Sequence, residues 1–212
     1  MPDFQLEKLF SQPVIGVDEV GRGPIAGPVV SCACVFFNNS LPIEELRLIN
    51  DSKKLSSIQR EKALEFILKM KKENVLDFRI GFASVKEIDK LNIVNAVVFS
   101  MKRAIKKLQI KQGTIIIDGN VKFEVEKFLC KSFIKGDQIS LSIAAASIIA
   151  KVHRDRYMAK IGRNYPHFKW DTNAGYGTVE HRHQIELQGI TKHHRKSFEP
   201  IKTFIQYNDS TC

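Results

Sequence analysis

No apolar run in the chain approaches the about 18 residues that a membrane span needs, and the first ten residues, MPDFQLEKLF, lack the basic-then-apolar order of a secretion signal. A cytoplasmic location without membrane contact is expected. The four cysteines, at 32, 34, 130 and 212, form neither a C-x-x-C pair nor a zinc-knuckle spacing. Cys32 and Cys34 stand two apart in an apolar stretch, so both face one side of a strand as buried, reduced thiols. The glycines at 16, 21 and 23 do not fit G-x-G-x-x-G, and G-x-x-x-x-G-K-[ST] is missing altogether, which excludes the common dinucleotide and P-loop sites. There is no internal repeat, low-complexity linker or composition break. With 212 residues and 43% hydrophobic content, one sizeable core in a single domain is expected.

Acidic residues are also scarce, 23 against 33 Lys plus Arg, for a net charge of +10. Such an excess favours a polyanionic partner, with nucleic acid the first candidate. Against that background the segment Val14 to Pro28, VIGVDEVGRGPIAGP, stands out. Its apolar start suits a strand, yet the strand ends on Asp18 and Glu19, where β propensity disfavours acids. Gly21-Arg22-Gly23 follows: two glycines that let the backbone turn tightly and approach a ligand, around a planar, permanently charged donor fork. Taken alone, the stretch is either a solvated turn or a set of hard oxygen ligands beside a phosphate-friendly one.

Further along, Pro28 to Phe37 reads as a second strand in a hairpin with the first, broken by Asn38-Asn39-Ser40. A polar loop carries Lys53 and Lys54, which are either solvated or in contact with phosphate, and ends on Ser56, suited to cap a helix over Ser57 to Lys72. Asp77 to Ser84 alternates as a third strand. Apolar residues at Leu91, Val94, Val97, Val98, Met101, Ile105 and Leu108 then predict one core-facing helix over Ile88 to Lys107. Thr114 to Ile117 is a short, wholly apolar run of the buried-strand type, and it ends on Asp118. Ser132 to Lys135 is read as another strand, leading to Gly136-Asp137. A helix over Ser140 to Ile161 carries the small residues Ala144 to Ser147, followed by Lys151, Arg154 and Arg156. Tyr165 to Thr178 reads as a loop, Val179 to Leu187 as a short helix, and Pro200 to Cys212 as a loosely held tail.

Asp18, Glu19, Asp118 and Asp137 therefore each end an apolar run or sit in a glycine turn, where α/β sheets place functional groups. Several carboxylates in one site repel unless a cation lies between them, and oxygen-only ligation favours Mg²⁺ or Mn²⁺. Two such ions about 4 Å apart are the apparatus of in-line displacement at a phosphodiester. His181, His183, His193 and His194 match no zinc spacing, and packing or phosphate contact is preferred for them.

These residues carry a resemblance. The segments D-E-V-G-R-G-P-I-A-G-P (18 to 28), D-S-K-K-L-S (51 to 56), I-D-x-L-N-I (88 to 93), I-D-G-N (117 to 120), K-G-D (135 to 137), S-I-A-A-A-S-I-I-A-K-V-x-R-D-R (142 to 156), G-Y-G-T-x-x-H (175 to 181) and H-R-K-S-F-x-P (194 to 200) together resemble the bacterial ribonuclease HII family. The resemblance implies an α/β, ribonuclease H-like mixed sheet flanked by helices, with a C-terminal helical extension from about residue 160. It implies an endonuclease that cleaves RNA in RNA/DNA hybrids and nicks 5′ of a single ribonucleotide embedded in duplex DNA. Products would carry 3′-hydroxyl and 5′-phosphate ends.

By matching position, Asp18, Glu19, Asp118 and Asp137 would be the catalytic, metal-binding acids for Mg²⁺ or Mn²⁺. Gly21, Arg22 and Gly23 would read the 2′-hydroxyl and neighbouring phosphate, and Tyr176 would pack on the sugar at the RNA-to-DNA junction. Lys53, Lys54, Lys151, Arg154 and Arg156 are expected as backbone contacts. His153 stands where the family has threonine. A monomer is expected, and Thr203 to Cys212 shows no convincing docking motif for a sliding clamp. A dead-site hybrid-binding protein would have lost a carboxylate, and none is lost here.

Overall fold

β-branched and small apolar residues fill Val14–Val20 (β1) and Val29–Phe36 (β2), which pair antiparallel with Asp18 opposite Cys32 and Glu19 opposite Ser31. The computed structural model of the chain describes residues 1–38, 41 and 46–209. Leu76–Ala83 (β3), Gly113–Asp118 (β4) and Phe128–Phe133 (β5) complete one sheet of order β3-β2-β1-β4-β5. β3 joins β2 antiparallel, whereas β4 lies parallel to both β1 and β5. The β1–β4 register runs from Val14 opposite Thr114 to Val17 opposite Ile117. Asp18 and Asp118 are the next residues on each strand, so two acids leave neighbouring parallel strands at the same level.

The helices are Ser57–Lys72 (α1), Val85–Leu91 (α2), Ile93–Lys107 (α3), Leu141–Gly162 (α4), Trp170–Asn173 (α5), Val179–Gln188 (α6) and Ile201–Asp209 (α7). α1 and α4 cover one face of the sheet, around Cys34, Leu64, Ile67, Ala145 and Ile149. α3 covers the other, around Val17, Ala33, Val97, Met101 and Ile117. α4 comes very close to β1: a methyl group on Gly16 would lie 2.3 Å from the Ser142 carbonyl carbon. Cys32 and Cys34 are free, buried thiols in the first of these layers, their ionisation suppressed mainly by burial.

Four expectations require correction, the first being that Tyr165 to Thr178, read as a loop, contains the short helix α5 around the buried Trp170. The single helix over 88–107 is two, because Asn92 adopts a φ of +66° and its side chain instead accepts the Asn95 amide to cap α3. Ser84 starts α2 early through a capping box with Glu87. The strand placed at 132–135 is β5, Phe128–Phe133: as an edge strand it is only half buried, which blurs its alternation, and Lys135 already turns left-handed with a φ of +58°. The tail from Pro200 forms α7, anchored by the fully buried Ile201 beside Met158, Phe168 and Trp170. Residues 39–40 of the expected break after β2, and residues 210–212 of the tail, lie outside the described residues.

Candidate active site

Parallel pairing brings the first acids together, and one hydrogen bond adds the fourth. The Gly136 amide donates to Asp118 Oδ1 at 2.7 Å, so the turn carrying Asp137 is fastened to the end of β4. Asp18 is buried, its Oδ1 accepting the Glu19 amide at 2.7 Å. Glu19 Oε1 meets Arg22 Nη1 at 3.4 Å, and Asp137 Oδ2 lies 3.8 Å from Lys53 Nζ. Glu19 Oε2 and Asp137 Oδ2 are buried without a hydrogen-bond donor.

The electrostatics follow from this crowding. Burial holds Asp18 well above the usual carboxylate range, and the charges of Glu19 and Asp118 raise it further. Burial likewise raises Glu19, with Arg22 opposing, and raises Asp137, with Asp118 adding and Lys53 opposing. Lys53 is itself raised: desolvation pulls it down, but attraction from Asp137, Asp18, Asp118 and Asp51 outweighs that loss. One field thus spans all these groups.

Among the described residues no three Asp, Glu, His or Cys side chains are already drawn into a closed metal cage. Three of the acids, Asp18, Glu19 and Asp118, instead border an open cleft of about 570 Å³ with Gly21 to Gly23, Lys53, Lys151 and Tyr176, while Asp137 lies outside its lining and reaches it through Lys53 and the Gly136–Asp118 hydrogen bond. Donor chemistry nonetheless fits a hard divalent cation: oxygen ligands only, mutually repelling, with two buried oxygens that accept no hydrogen bond. A larger groove of about 1220 Å³ lies between α3 and β5, but no comparable set of acids converges there. Chemistry rather than size marks the site.

The glycine turn differs in detail from its sequence reading. Gly21 has a φ of +95°, and a methyl group there would lie 2.2 Å from Arg154 Nε, so its bareness makes room for a protein side chain. At Gly23 the nearest atom is Tyr176 Cε1 at 3.5 Å, so this glycine keeps the ligand side open. Tyr176, half exposed, stands over it. Its carbonyl is 2.8 Å from His181 Nδ1, while Trp170 Nε1 donates to His181 Nε2 at 3.1 Å. The Thr191 amide donates to His194 Nδ1 at 2.9 Å, which leaves His194 Nε2–H to donate to His181 Nε2 at 3.1 Å. The network is satisfied only with both rings neutral, and burial lowers His181 and takes His194 to about 3. These two histidines pack; His183 is exposed.

The basic residues divide. Lys53 and Lys151 border the cleft, Lys151 also pairing with Asp155 at 2.9 Å. Lys54 is exposed and faces Asp51, 4.0 Å away. Arg156 pairs with Glu61. Arg154 corrects the expectation of a phosphate contact: it is fully buried, and its side chain donates to the carbonyls of Pro28, Ala174 and Ala26. Its place in α4 turns it towards the glycine turn rather than towards solvent.

Asp51 was not singled out from sequence. It is buried, accepts the Lys53 amide at 2.9 Å and Gln138 Nε2 at 3.2 Å, and so ties the lysine loop to the Asp137 turn. It opens the D-S-K-K-L-S segment of the resemblance, but its chemistry there looks like an Asn-Asp-Ser turn, common in ordinary loops.

A family model described as Ribonuclease HII matches residues 15–201. The chain belongs to the ribonuclease HII family. A ribonuclease HII of Wolbachia pipientis from Culex pipiens is 49% identical over 201 residues, covering 95% of this chain and 98% of its own. The ribonuclease H2 of Pyrococcus horikoshii shares the fold with a TM-score of 0.74 at 28% identity, over 92% of this chain and 98% of that one. A structure of Bst-RNase HIII in complex with Mn²⁺ shares it with a TM-score of 0.67 at 18% identity, over 96% and 72%. Membership makes the chain a ribonuclease H, a metal-dependent endonuclease on a mixed sheet flanked by helices with a C-terminal helical extension.

Proposed function

We propose that this ribonuclease H cleaves the RNA strand of RNA/DNA hybrids and nicks 5′ of single ribonucleotides embedded in duplex DNA, leaving 3′-hydroxyl and 5′-phosphate ends. The observation that supports this reading is a cleft in which Asp18, Glu19 and Asp118 adjoin an open glycine turn and an exposed tyrosine, with the turn carrying Asp137 fastened to Asp118. Asp18, Glu19, Asp118 and Asp137 would hold two Mg²⁺ or Mn²⁺ ions, and Asp18 already feels the charges of both Glu19 and Asp118. When bound, such ions supply charge neutralisation and an activated water for phosphodiester hydrolysis.

The remaining work falls to protein groups. An embedded ribonucleotide differs from its neighbours by one 2′-oxygen, so its recognition needs donors or acceptors at close range, which the open face of Gly23 allows. Tyr176 offers a flat surface to the adjacent sugar. Lys53 attracts the phosphate backbone while opposing the rise that burial and Asp118 impose on Asp137. A labelled DNA duplex containing one ribonucleotide, incubated with Mg²⁺, Mn²⁺ or EDTA, should be nicked 5′ of that residue only when metal is present. An intact duplex with every metal would end this reading.

Two variants probe the basic residues. Lys53→Met removes the charge that opposes protonation of Asp137, so Asp137 titrates higher and the acid limb of the pH–rate profile should move to higher pH. An unmoved limb would separate Lys53 from the acids. Lys151→Ala should weaken hybrid binding evenly across sequences and reduce the salt slope of the binding constant by about one; anisotropy titrations at several salt concentrations measure both. A salt slope equal to that of wild type would place Lys151 outside the substrate path.

A further inference from the structure

Arg154 and Arg195 are both fully buried, one from α4 and one from the segment between α6 and α7. Every side-chain hydrogen bond they make among the described residues ends on a backbone carbonyl. Arg195 donates from Nη2 to Gly21 at 2.6 Å, from Nη1 to Arg22 at 2.9 Å and from Nε to Gly27 at 2.9 Å. Arg154 donates from Nε to Pro28 at 2.9 Å, from Nη2 to Ala26 at 3.1 Å and from Nη1 to Ala174 at 2.8 Å. Two guanidinium groups therefore hold five carbonyls of the segment 21–28 and a sixth just before Tyr176. The acids whose fields reach them, Asp155 and Asp89, act without ion-pair contact among the described residues.

Burying a guanidinium without a counter-charge is costly. Desolvation lowers Arg154 to about 10 and Arg195 to about 9, and both remain charged at neutral pH. An apolar side chain could fill the same space, but it could not fix the direction of peptide groups. Here the direction matters. The carbonyls of Gly21 and Arg22 are turned inward, and among the described residues the amides of Gly21, Arg22 and Gly23 donate no hydrogen bond, while all three residues border the cleft beside Asp18.

We propose that Arg195 and Arg154 are the positioning residues of ribose recognition: they grip the inner side of the glycine turn so that its amides face the sugar and phosphate of the ribonucleotide, and they supply buried positive charge behind it. The inference rests on the proposed reading of the cleft and deepens it. A planar fork suits this task because Nε, Nη1 and Nη2 each meet a different carbonyl, whereas the three donors of an ammonium all radiate from one nitrogen.

Arg195→Lys tests it with two readouts under conditions where the variant still melts cooperatively. Cleavage by trypsin after Arg22, which follows local opening of the turn, should run about tenfold faster than in wild type. The rate on a duplex with one ribonucleotide, divided by that on a continuous hybrid, should fall about ten- to a hundredfold, because only the former depends on finding a lone ribose. An Arg22 bond as resistant as in wild type would overturn the proposal. So would faster proteolysis with an unchanged substrate ratio, since that marks a merely structural staple. If Arg195→Lys does not fold, Arg154→Lys is judged by the same two measurements. A wild-type chain that nicks neither duplex would sink the functional reading, and the protease result would still decide whether the arginines hold the turn.

Discussion

Asp18→Asn is expected to abolish nicking while melting above the wild-type protein when both are held in EDTA. The activity loss should be on the order of a thousandfold or more, because an amide removes one of the converging negative charges that would hold the ions. Asp118→Asn should match it, and hybrid binding should be largely spared in both. The stability gain has the opposite origin. Asp18 carries a raised pKa in the folded chain, so the folded state binds more protons than the unfolded state between the ordinary value of 3.8 and that raised value. Ionising it therefore costs stability: the cost is absent below the ordinary value and complete once the pH passes the raised one. At neutral pH a neutral amide avoids that cost.

Added Mn²⁺ should reverse the order of the two melting temperatures, since the ion stabilises the wild-type fold by mass action and finds a poorer site in the variant. Thermal melts with chelator and with metal, beside a nicking assay, check every part. Full activity in Asp18→Asn, or a wild-type melt indifferent to metal, would overturn the assignment of the acids.

Gly21→Ala and Gly23→Ala should fail in different ways. At Gly21 the new methyl group meets Arg154 Nε at 2.2 Å and the Pro28 carbonyl oxygen at 2.8 Å, at a φ of +95°. Strain plus displacement of a buried arginine should destabilise the fold by about 3 kcal/mol and remove nicking with it. At Gly23 nothing lies closer than the edge of the Tyr176 ring at 3.5 Å, so stability should change by less than about 0.5 kcal/mol. Yet the methyl would stand on the ligand side, and nicking at a single ribonucleotide should fall by at least about tenfold. Denaturant unfolding curves and nicking rates on the two variants separate these effects. Equal stability losses would mean that the two glycines serve the same purpose.

The acids proposed for the site stand out in the sequence because they break local rules. Asp18 and Asp118 close apolar runs that β propensity would continue, and Asp137 sits in a glycine turn after another. α1 was legible for the opposite reason: Ser56 and Gln59 close a capping box whose whole content is local. β5 was harder, since an edge strand is half solvated and its pattern fades. The tail was misjudged because α7 depends on Ile201 reaching a core built by Met158, Phe168 and Trp170, which nothing near Pro200 announces.

The sequence by itself determined the family, through its motif segments, and the inventory from which the proposed site is drawn: four hard acids in a basic chain and a glycine turn beside the first two. Tertiary structure decided which charges meet the cleft. Lys151 and Arg154 lie on the same helix three residues apart, yet one borders the cleft while the other is locked under the turn. Arg195 finds its carbonyls 168, 173 and 174 positions earlier in the chain. A local pattern fixes what a side chain can donate or accept, whereas the direction it faces depends on elements brought against it from far along the chain, and that is known only once they have packed.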